Sequence, residues 1–148
     1  MNSRRPLTVQ PKSSPMTAFL DTSILVHFER GHHKLREFDH VTVPSMAVAE
    51  FVRGIEVAPN PAIRNRGERF LARQIAPLGI VDFGFAAARA WAALAVAMRR
   101  AGLEMKFGDS LIAAQCIAEN APLITCDGDF DRVPGLTVIK LKFEDQRS

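Results

Sequence analysis

Acidic side chains follow two short apolar segments that the sequence marks as strands. Asp21 comes directly after residues 18–20, and Asp127 and Asp129 follow residues 123–125. If both segments are parallel strands, their carboxyl ends meet at the edge of the sheet where ligands bind in open α/β folds. Each aspartate taken singly is also a common helix N-cap or turn residue. Together the three residues predict that carboxylates gather at this edge.

Glu50 and Asp109 add carboxylates from two predicted helices. Glu50 shares a helical stripe with Met46, Ala47 and Gly54, and such small or apolar neighbours favour a covered face. The sequence fits equally well with Glu50 at the solvent-exposed edge of this stripe. Asp109 lies near a helix start, where an aspartate caps the helix or faces a cleft. We therefore expect both residues to join the other carboxylates.

Clustered carboxylates repel one another and raise each other's pKa unless a divalent cation neutralises them. Ligands that are all oxygen favour Mg²⁺ or Mn²⁺ over zinc, and the chain has no histidine or cysteine set at metal-ligand spacing. The sequence therefore predicts a site for Mg²⁺ (or Mn²⁺). We expect the four histidines to lie on the solvated surface: His27, His32, His33 and His40.

Particular positions argue against other metal and phosphate chemistries. Residues 127–131 imitate the start of an EF-hand loop, but Arg132 stands where that loop needs glycine and Val138 where it needs glutamate. No glycine-rich phosphate-binding loop follows any predicted strand. Ser23 occupies the position of the second aspartate that an aspartyl-phosphate phosphatase would carry.

The elements that position these residues alternate short apolar runs with helical periods, which is typical of βα units and a parallel sheet. Predicted strands cover residues 18–20, 41–43, 80–81, 123–125 and 136–139. Predicted helices cover residues 22–29, 45–57, 63–75, 85–101 and 110–119. The fold class expected from this order is α/β.

The 148 residues, 47% of them hydrophobic, have the length and balance of one globular domain. We expect an extended or disordered tail over residues 1–15, the domain over 16–141 and a short C-terminal tail over 142–148. With two cysteines, no run long enough for a membrane helix and no signal peptide, the expected location is the cytoplasm. The net charge of +3 mildly favours a polyanionic partner.

Four segments resemble, in order and spacing, the acidic motifs of PIN-domain ribonucleases. They are Leu-Asp-Thr-Ser-Ile-Leu at 20–25, Ala-Glu-Phe at 49–51, Gly-Asp-Ser-Leu-Ile-Ala-Ala at 108–114 and Thr-Cys-Asp-Gly-Asp-Phe at 125–130. Arg-Val-Pro-Gly-Leu at 132–136 resembles the ending of VapC-type toxins, the ribonuclease halves of bacterial toxin–antitoxin pairs. The resemblance spans residues 16–141.

The resemblance implies a PIN-like three-layer α/β/α sandwich with a central parallel sheet of about five strands, commonly in a homodimer. It also implies an acidic pocket that holds Mg²⁺ or Mn²⁺ and cleaves single-stranded segments of RNA, often in structured RNAs such as tRNA.

The resemblance also assigns roles to residues. Asp21 and Asp109 would be the principal metal ligands, and Glu50 and Asp127 would complete the site directly or through water. Asp129 is the alternative to Asp127 as the fourth acidic residue. The hydroxyls that orient these carboxylates would be Thr22 or Ser23, together with Thr125.

An acidic pocket repels RNA, so affinity must come from basic side chains around it. The candidates are Arg64, Arg66, Arg69, Arg73, Arg99, Arg100 and Lys106. The function we expect is a metal-dependent endoribonuclease toxin, neutralised by an antitoxin that lays an apolar segment in a groove and directs a basic side chain at the carboxylates. The alternatives are a PIN-type nuclease of RNA processing without an antitoxin, and a catalytically inactive RNA-binding module.

Overall fold

Five parallel strands form a single sheet in the computed structural model, which describes residues 17–143. The strands are β1 (Ala18–Leu20), β2 (Val41–Pro44), β3 (Ile80–Val81), β4 (Leu123–Thr125) and β5 (Val138–Lys140). Their order is β3-β2-β1-β4-β5, and Phe19 of the central strand pairs with Thr42 on one side and Leu123 on the other. The α/β class with five parallel strands is confirmed.

Helices cover this sheet and make the three-layer sandwich. They are α1 (Thr22–Arg30), α2 (Ser45–Val57), α3 (Pro61–Phe70), α4 (Phe85–Arg100) and α5 (Phe107–Glu119). Every residue of β1, β2 and β4 is buried, as strands covered on both faces must be. None of the helices within residues 17–143 combines the length and apolar character needed to cross a membrane.

Helix α3 begins at Pro61, earlier than the predicted start at residue 63. The Asn60 side chain caps it by accepting a hydrogen bond of 2.8 Å from the Ala62 amide, and proline suits the first helical position. Its continuation over Leu71–Ile75 widens into a π-turn, so the segment is not one regular helix to residue 75.

Strand β5 begins at Val138, whereas the sequence pattern placed its start at residue 136. A turn takes up the preceding residues: Gly135 has φ 81°, and the Leu136 amide donates to the Val133 carbonyl. Pairing with β4 starts where Val138 meets Leu123. The β4–β5 connection therefore contains no α-helix, only the short 3₁₀ turn Gly128–Phe130.

The chain end that the structure describes packs back onto the first helix. Phe143 stacks on His27 of α1, with 3.6 Å between ring centroids, and meets Phe28 edge-on at 5.9 Å. The expected tail over residues 1–15 and the last part of the expected tail over 142–148, residues 144–148, lie outside the described residues.

The order of the strands reverses at one point in the sheet. From β1 the chain runs outward to β2 and β3, and then crosses to β4 and β5 on the other side of β1. The reversal therefore lies between β1 and β4, where open α/β folds bind ligands outside the carboxyl ends of the strands. Asp21 stands directly after β1 at this point, and Asp127 stands just beyond β4.

Candidate active site

Asp21 is the buried centre of the acidic edge, with 2% of its surface exposed. It is the N-cap of α1, and its Oδ2 atom accepts hydrogen bonds from Ser23 Oγ (2.7 Å), Thr125 Oγ1 (2.8 Å) and the Ser23 amide (3.4 Å). Within residues 17–143 no hydrogen bond reaches its other oxygen, Oδ1. Burying a carboxylate oxygen without a hydrogen-bond donor costs free energy of folding. We therefore expect a further ligand or donor at Oδ1.

Two hydroxyls tie the start of α1 to the end of β4 around this carboxylate. Ser23 Oγ lies 3.2 Å from Thr125 Oγ1 and accepts a hydrogen bond from the Cys126 amide. Thr125 Oγ1 accepts one of 3.0 Å from the Asp127 amide. Of the two hydroxyls proposed at the start of α1, Ser23 therefore contacts Asp21, and the same network anchors the backbone of Asp127.

Glu50 of α2 is half-buried and is held by two neighbours. Thr22 Oγ1 donates a hydrogen bond of 2.6 Å to its Oε1 atom. Its Oε2 atom packs against Gly108, where a Cβ would lie only 2.3 Å away. Thr22 thus orients the Glu50 carboxylate, and the absence of a side chain at Gly108 leaves the space that this carboxylate occupies. No signal in the sequence predicted this contact, because the predicted helix began at residue 110 and left Gly108 outside it.

The structure corrects the local setting of Asp109. Helix α5 begins at Phe107 with Lys106 as its N-cap, so the expected start at residue 110 and the N-cap role for Asp109 are wrong. The amide of Ser110 already donates to the Lys106 carbonyl at 3.0 Å. Asp109 therefore lies inside the first helical turn, where the helix dipole favours a negative charge.

The pKa of Asp109 is nevertheless raised by its surroundings. Burial, followed by the charges of Asp21, Glu50 and Asp129, raises the pKa of Asp109 from 3.8 to about 6, against the opposing charge of Lys106. Repulsion and burial thus outweigh the helix dipole and the lysine.

Asp127 and Asp129 differ in their surroundings. Burial, followed by the charges of Asp21 and Asp129, raises the pKa of Asp127, and Lys106 opposes this shift. Of these two residues, Asp129 is the one within 4 Å of a cation, with 3.9 Å between its Oδ2 atom and Lys106 Nζ. Asp127 therefore interacts most strongly with the buried carboxylate, whereas Asp129 faces a positive charge.

All five predicted acidic residues line one cleft of about 630 Å³. Its acidic end consists of Asp21, Glu50, Asp109, Asp127 and Asp129. Its other end contains Val26, His27, Arg30, Gly31 and His33. The expected surface position is confirmed for His33, which is exposed, whereas His27 is half-buried. No local pattern in the sequence showed that both line the cleft, because α1 and the loop after it form this wall together.

The donor set fits a small divalent cation that keeps part of its water. No three His, Cys, Asp or Glu side chains of residues 17–143 converge as a ready-made metal cage. Mg²⁺ commonly binds through one or two carboxylates and several waters rather than in such a cage. The Oδ1 atom of Asp21, buried and without a donor from the described residues, provides one such ligand position.

The predicted basic residues lie at different distances from this cleft. Lys106 lines it directly, and a neighbouring groove of about 290 Å³ contains Arg66, Arg69 and Arg73. Arg66 is also paired with Glu29. Of the remaining candidates, Arg99 lines a separate groove, and Arg64 and Arg100 are exposed on α3 and α4. Arg66, Arg69 and Arg73 are thus better placed than the arginines of α4 to extend a polyanion site.

Removing the Asp109 charge is expected to stabilise the metal-free protein in a pH-dependent way. Because the pKa of Asp109 is raised from 3.8 to about 6 by folding, its ionised form opposes folding. That penalty is absent where the carboxyl is protonated in both states and grows as pH rises through this window. Urea denaturation should show Asp109→Asn more stable than the wild type at about pH 8, with a smaller difference at about pH 5.

Asp82→Asn, which removes a charge from an exposed position after β3, is the matched control and should show no such pH-dependent gain. An Asp109→Asn variant less stable than the wild type at the higher pH would contradict the crowding of carboxylates.

Comparison with known proteins agrees with this fold. The chain is 30% identical over 128 residues to ribonuclease VapC4 of Mycobacterium tuberculosis, which covers 84% of this chain and 96% of that protein. It is 26% identical to a chain in the crystal structure of VapBC2 from Rickettsia felis bound to a promoter DNA fragment, with a TM-score of 0.74 and coverage of 86% and 100%.

A chain of VapBC-5 from Mycobacterium tuberculosis, a member of the VapBC family of toxin–antitoxin systems, is also 26% identical, with a TM-score of 0.72 and the same coverage of 86% and 100%. The PIN domain family matches residues 18–136, which include all five acidic positions of the cleft. This chain therefore belongs to the PIN-domain family.

Proposed function

We propose that this chain is a divalent-metal-dependent endoribonuclease and the toxin of a toxin–antitoxin pair. The observation that carries the proposal is the buried Asp21 carboxylate, which lines a cleft crowded with other carboxylates and whose Oδ1 atom accepts no hydrogen bond from residues 17–143. Such crowding is unfavourable until a cation neutralises it. The similarity to a protein named ribonuclease VapC4 supports RNA as the substrate.

Each acidic residue has a task in this proposal. Asp21 and Asp109 hold Mg²⁺ or Mn²⁺, and Glu50 and Asp127 complete the site directly or through water. When bound, the ion lowers the pKa of water and stabilises negative charge on the phosphoryl oxygens. Ser23 and Thr125 hold Asp21 in place, and Thr22 does the same for Glu50.

The RNA backbone needs positive charge near this acidic cleft. Lys106 stands at its edge, beside Asp129. Arg69 and Arg73 of the neighbouring groove continue the positive surface beyond His33, which lines both cavities. The phosphates on one side of the scissile bond would follow this path.

The proposed partner is an antitoxin that blocks the cleft. An apolar groove of about 500 Å³ lies between α4 and the start of α5 and includes Trp91, Leu94, Met98 and Phe107. Phe107 is 67% exposed, which suits an apolar segment of a partner. Lys106 directly precedes Phe107 and lines the acidic cleft, so a basic side chain of that partner would reach the carboxylates. We further propose that the protein forms a homodimer and acts in the cytoplasm.

Cleavage of RNA is the direct test of this function. Asp109→Asn keeps the size of the side chain but removes its charge, so we expect the rate of tRNA cleavage to fall by about two orders of magnitude or more. EDTA should abolish cleavage by the wild type, and Mn²⁺ should restore it. Asp82→Asn serves as the control and should cut normally. Cleavage that persists in EDTA would contradict the proposal.

A positioning role for Gly108 gives a second test. Alanine favours a helix over glycine by about 1 kcal/mol, but its Cβ would displace the Glu50 carboxylate. Gly108→Ala should therefore unfold at no lower urea concentration than the wild type and yet cut RNA at least about tenfold more slowly. Gly54→Ala, where a Cβ meets nothing within 4 Å, is the matched control. Wild-type cleavage by Gly108→Ala would show that Glu50 does not need its present position.

The fourth acidic ligand can be identified by calorimetry with Mn²⁺. Burial and the charge of Asp21 raise the pKa of Asp127, whereas Asp129 lies 3.9 Å from Lys106 Nζ, a cation that already balances part of its charge. Asp127→Asn should therefore weaken Mn²⁺ binding more than Asp129→Asn. Asp131→Asn is the control in the same loop, because Asp131 pairs with Lys140 at 2.7 Å. If Asp129→Asn has the larger effect, the two roles are reversed.

A further inference from the structure

The end of the cleft away from the carboxylates holds two parallel histidine rings. The ring centroids of His27 and His33 are 6.4 Å apart, and the ring planes differ by only 7°. Both residues line the cleft, together with Val26 and Arg30. This end therefore combines two flat rings with an apolar side chain and a guanidinium group.

His27 has one ring face covered. The Phe143 ring stacks on it with a centroid distance of 3.6 Å and an interplanar angle of 21°. This contact joins α1 to the last described residue of the chain and restricts the rotation of the imidazole. His27 is thus a held ring rather than a freely moving surface side chain.

His33 is positioned by the way α1 ends. Its amide donates to the Phe28 carbonyl at 2.9 Å, and the His32 amide donates to the Glu29 carbonyl at 3.3 Å. His32 has φ 59°, in the left-handed region. This is the hydrogen-bond pattern of a Schellman C-cap, which fixes the direction of the backbone at the next residue.

Gly31 leaves the space that the His33 ring occupies. Its φ of −88° is open to any residue, so backbone freedom does not explain a glycine here. A Cβ at this position would lie 2.7 Å from Cδ2 and 2.9 Å from Nε2 of His33. A larger residue would therefore move the ring away from its present position.

The spacing of the two rings matches the thickness of one inserted flat group. Stacked bases in nucleic acids rise by about 3.4 Å per step, so one base between two rings needs about 6.8 Å. Unstacked RNA bases commonly bind in this way to histidine and arginine side chains. The observed 6.4 Å requires only a small adjustment of the loop that carries His33.

The distance from the carboxylates also fits a neighbouring nucleotide. A helix rises by 1.5 Å per residue, so the backbone of His27 lies about 9 Å along α1 from that of Asp21. Ser23, Val26, His27 and Arg30 follow the same side of α1 and line the cleft. A strand with its phosphate at the acidic end would carry the next base towards the two rings.

The geometry points to a nucleobase subsite in which His27 and His33 hold one unstacked base of the RNA strand beside the scissile phosphate. This inference rests on the proposed function, because the strand must enter the cleft with a phosphate at the carboxylates. Arg30 supplies a cation at the same end of the cleft. The subsite would make the enzyme select RNA in which the nucleotide beside the scissile phosphate is neither base-paired nor stacked on its neighbours.

A purely structural role for His33 makes a different prediction. Its ring also contacts Phe28 at a centroid distance of 5.4 Å, the kind of contact that accompanies this C-cap. Loss of that contact alone would lower the stability of the fold. It would not change the preference for a base over an abasic backbone.

The test compares two fluorescent probes by anisotropy with Ca²⁺ in place of Mg²⁺, so that a cation with oxygen ligands neutralises the carboxylates, and a gel verifies that both probes stay intact. The probes are a random-sequence RNA 10-mer and an abasic 10-mer of the same backbone. Stacking of one base corresponds to about 5- to 150-fold in affinity, so the wild type should prefer the RNA by at least about fivefold. His27→Ala, His33→Ala and Gly31→Ala should each lose most of this preference and still bind the abasic probe within about twofold of the wild type.

His32→Asn is the matched control, because asparagine tolerates the left-handed conformation and His32 does not line the cleft. It should keep the preference for bases. Equal binding of both probes by the wild type would overturn the subsite, as would an equal loss for both probes in His33→Ala. Cleavage with Mg²⁺ is scored separately: a wild type that prefers bases but cuts no RNA would overturn the nuclease proposal and leave the subsite supported.

Discussion

The Asp21 carboxylate meets two demands that conflict unless a cation is present. It must be buried to cap α1 and to join β1 to β4 through Ser23 and Thr125. It must also stand among other carboxylates, whose charges add to the effect of burial and raise the pKa of Asp109 to about 6. The first demand is met by the Oδ2 atom, whereas the Oδ1 atom accepts no hydrogen bond from residues 17–143. The proposed divalent metal would relieve this repulsion, so folding and the proposed catalysis depend on the same side chain.

The sheet topology explains why these charges meet. The chain reverses direction between β1 and β4, and their carboxyl ends bring Asp21 and Asp127 together, while α2 and α5 add Glu50 and Asp109 from the side. Close packing completes the arrangement, since Glu50 occupies the space left by Gly108. Locally unfavourable choices, such as repelling carboxylates and a glycine inside a helix, are typical of functional sites in otherwise consistent folds.

The sequence predicted the sheet and the acidic cluster because both follow from short-range patterns: apolar strands, and the acids just beyond them. It misplaced the start of α5 because Lys106 makes no side-chain cap, so no capping residue marks that boundary. The π-turn after α3 has no local signal either. The pairing of His27 with His33 depends on a helix end and on Phe143, more than a hundred residues away in the chain, and periodicity does not report such contacts.

The most direct measurement of the central claim is the position of Mn²⁺ in a crystal of the wild-type protein, located by its anomalous scattering. We expect one ion in the acidic cleft, about 2.1 Å from the Oδ1 atom of Asp21. A carboxylate oxygen of Asp109 should be a second ligand, and water should fill several of the remaining positions. An acidic cleft without Mn²⁺ at a saturating concentration, or an ion bound there without contact to Asp21, would contradict the central claim.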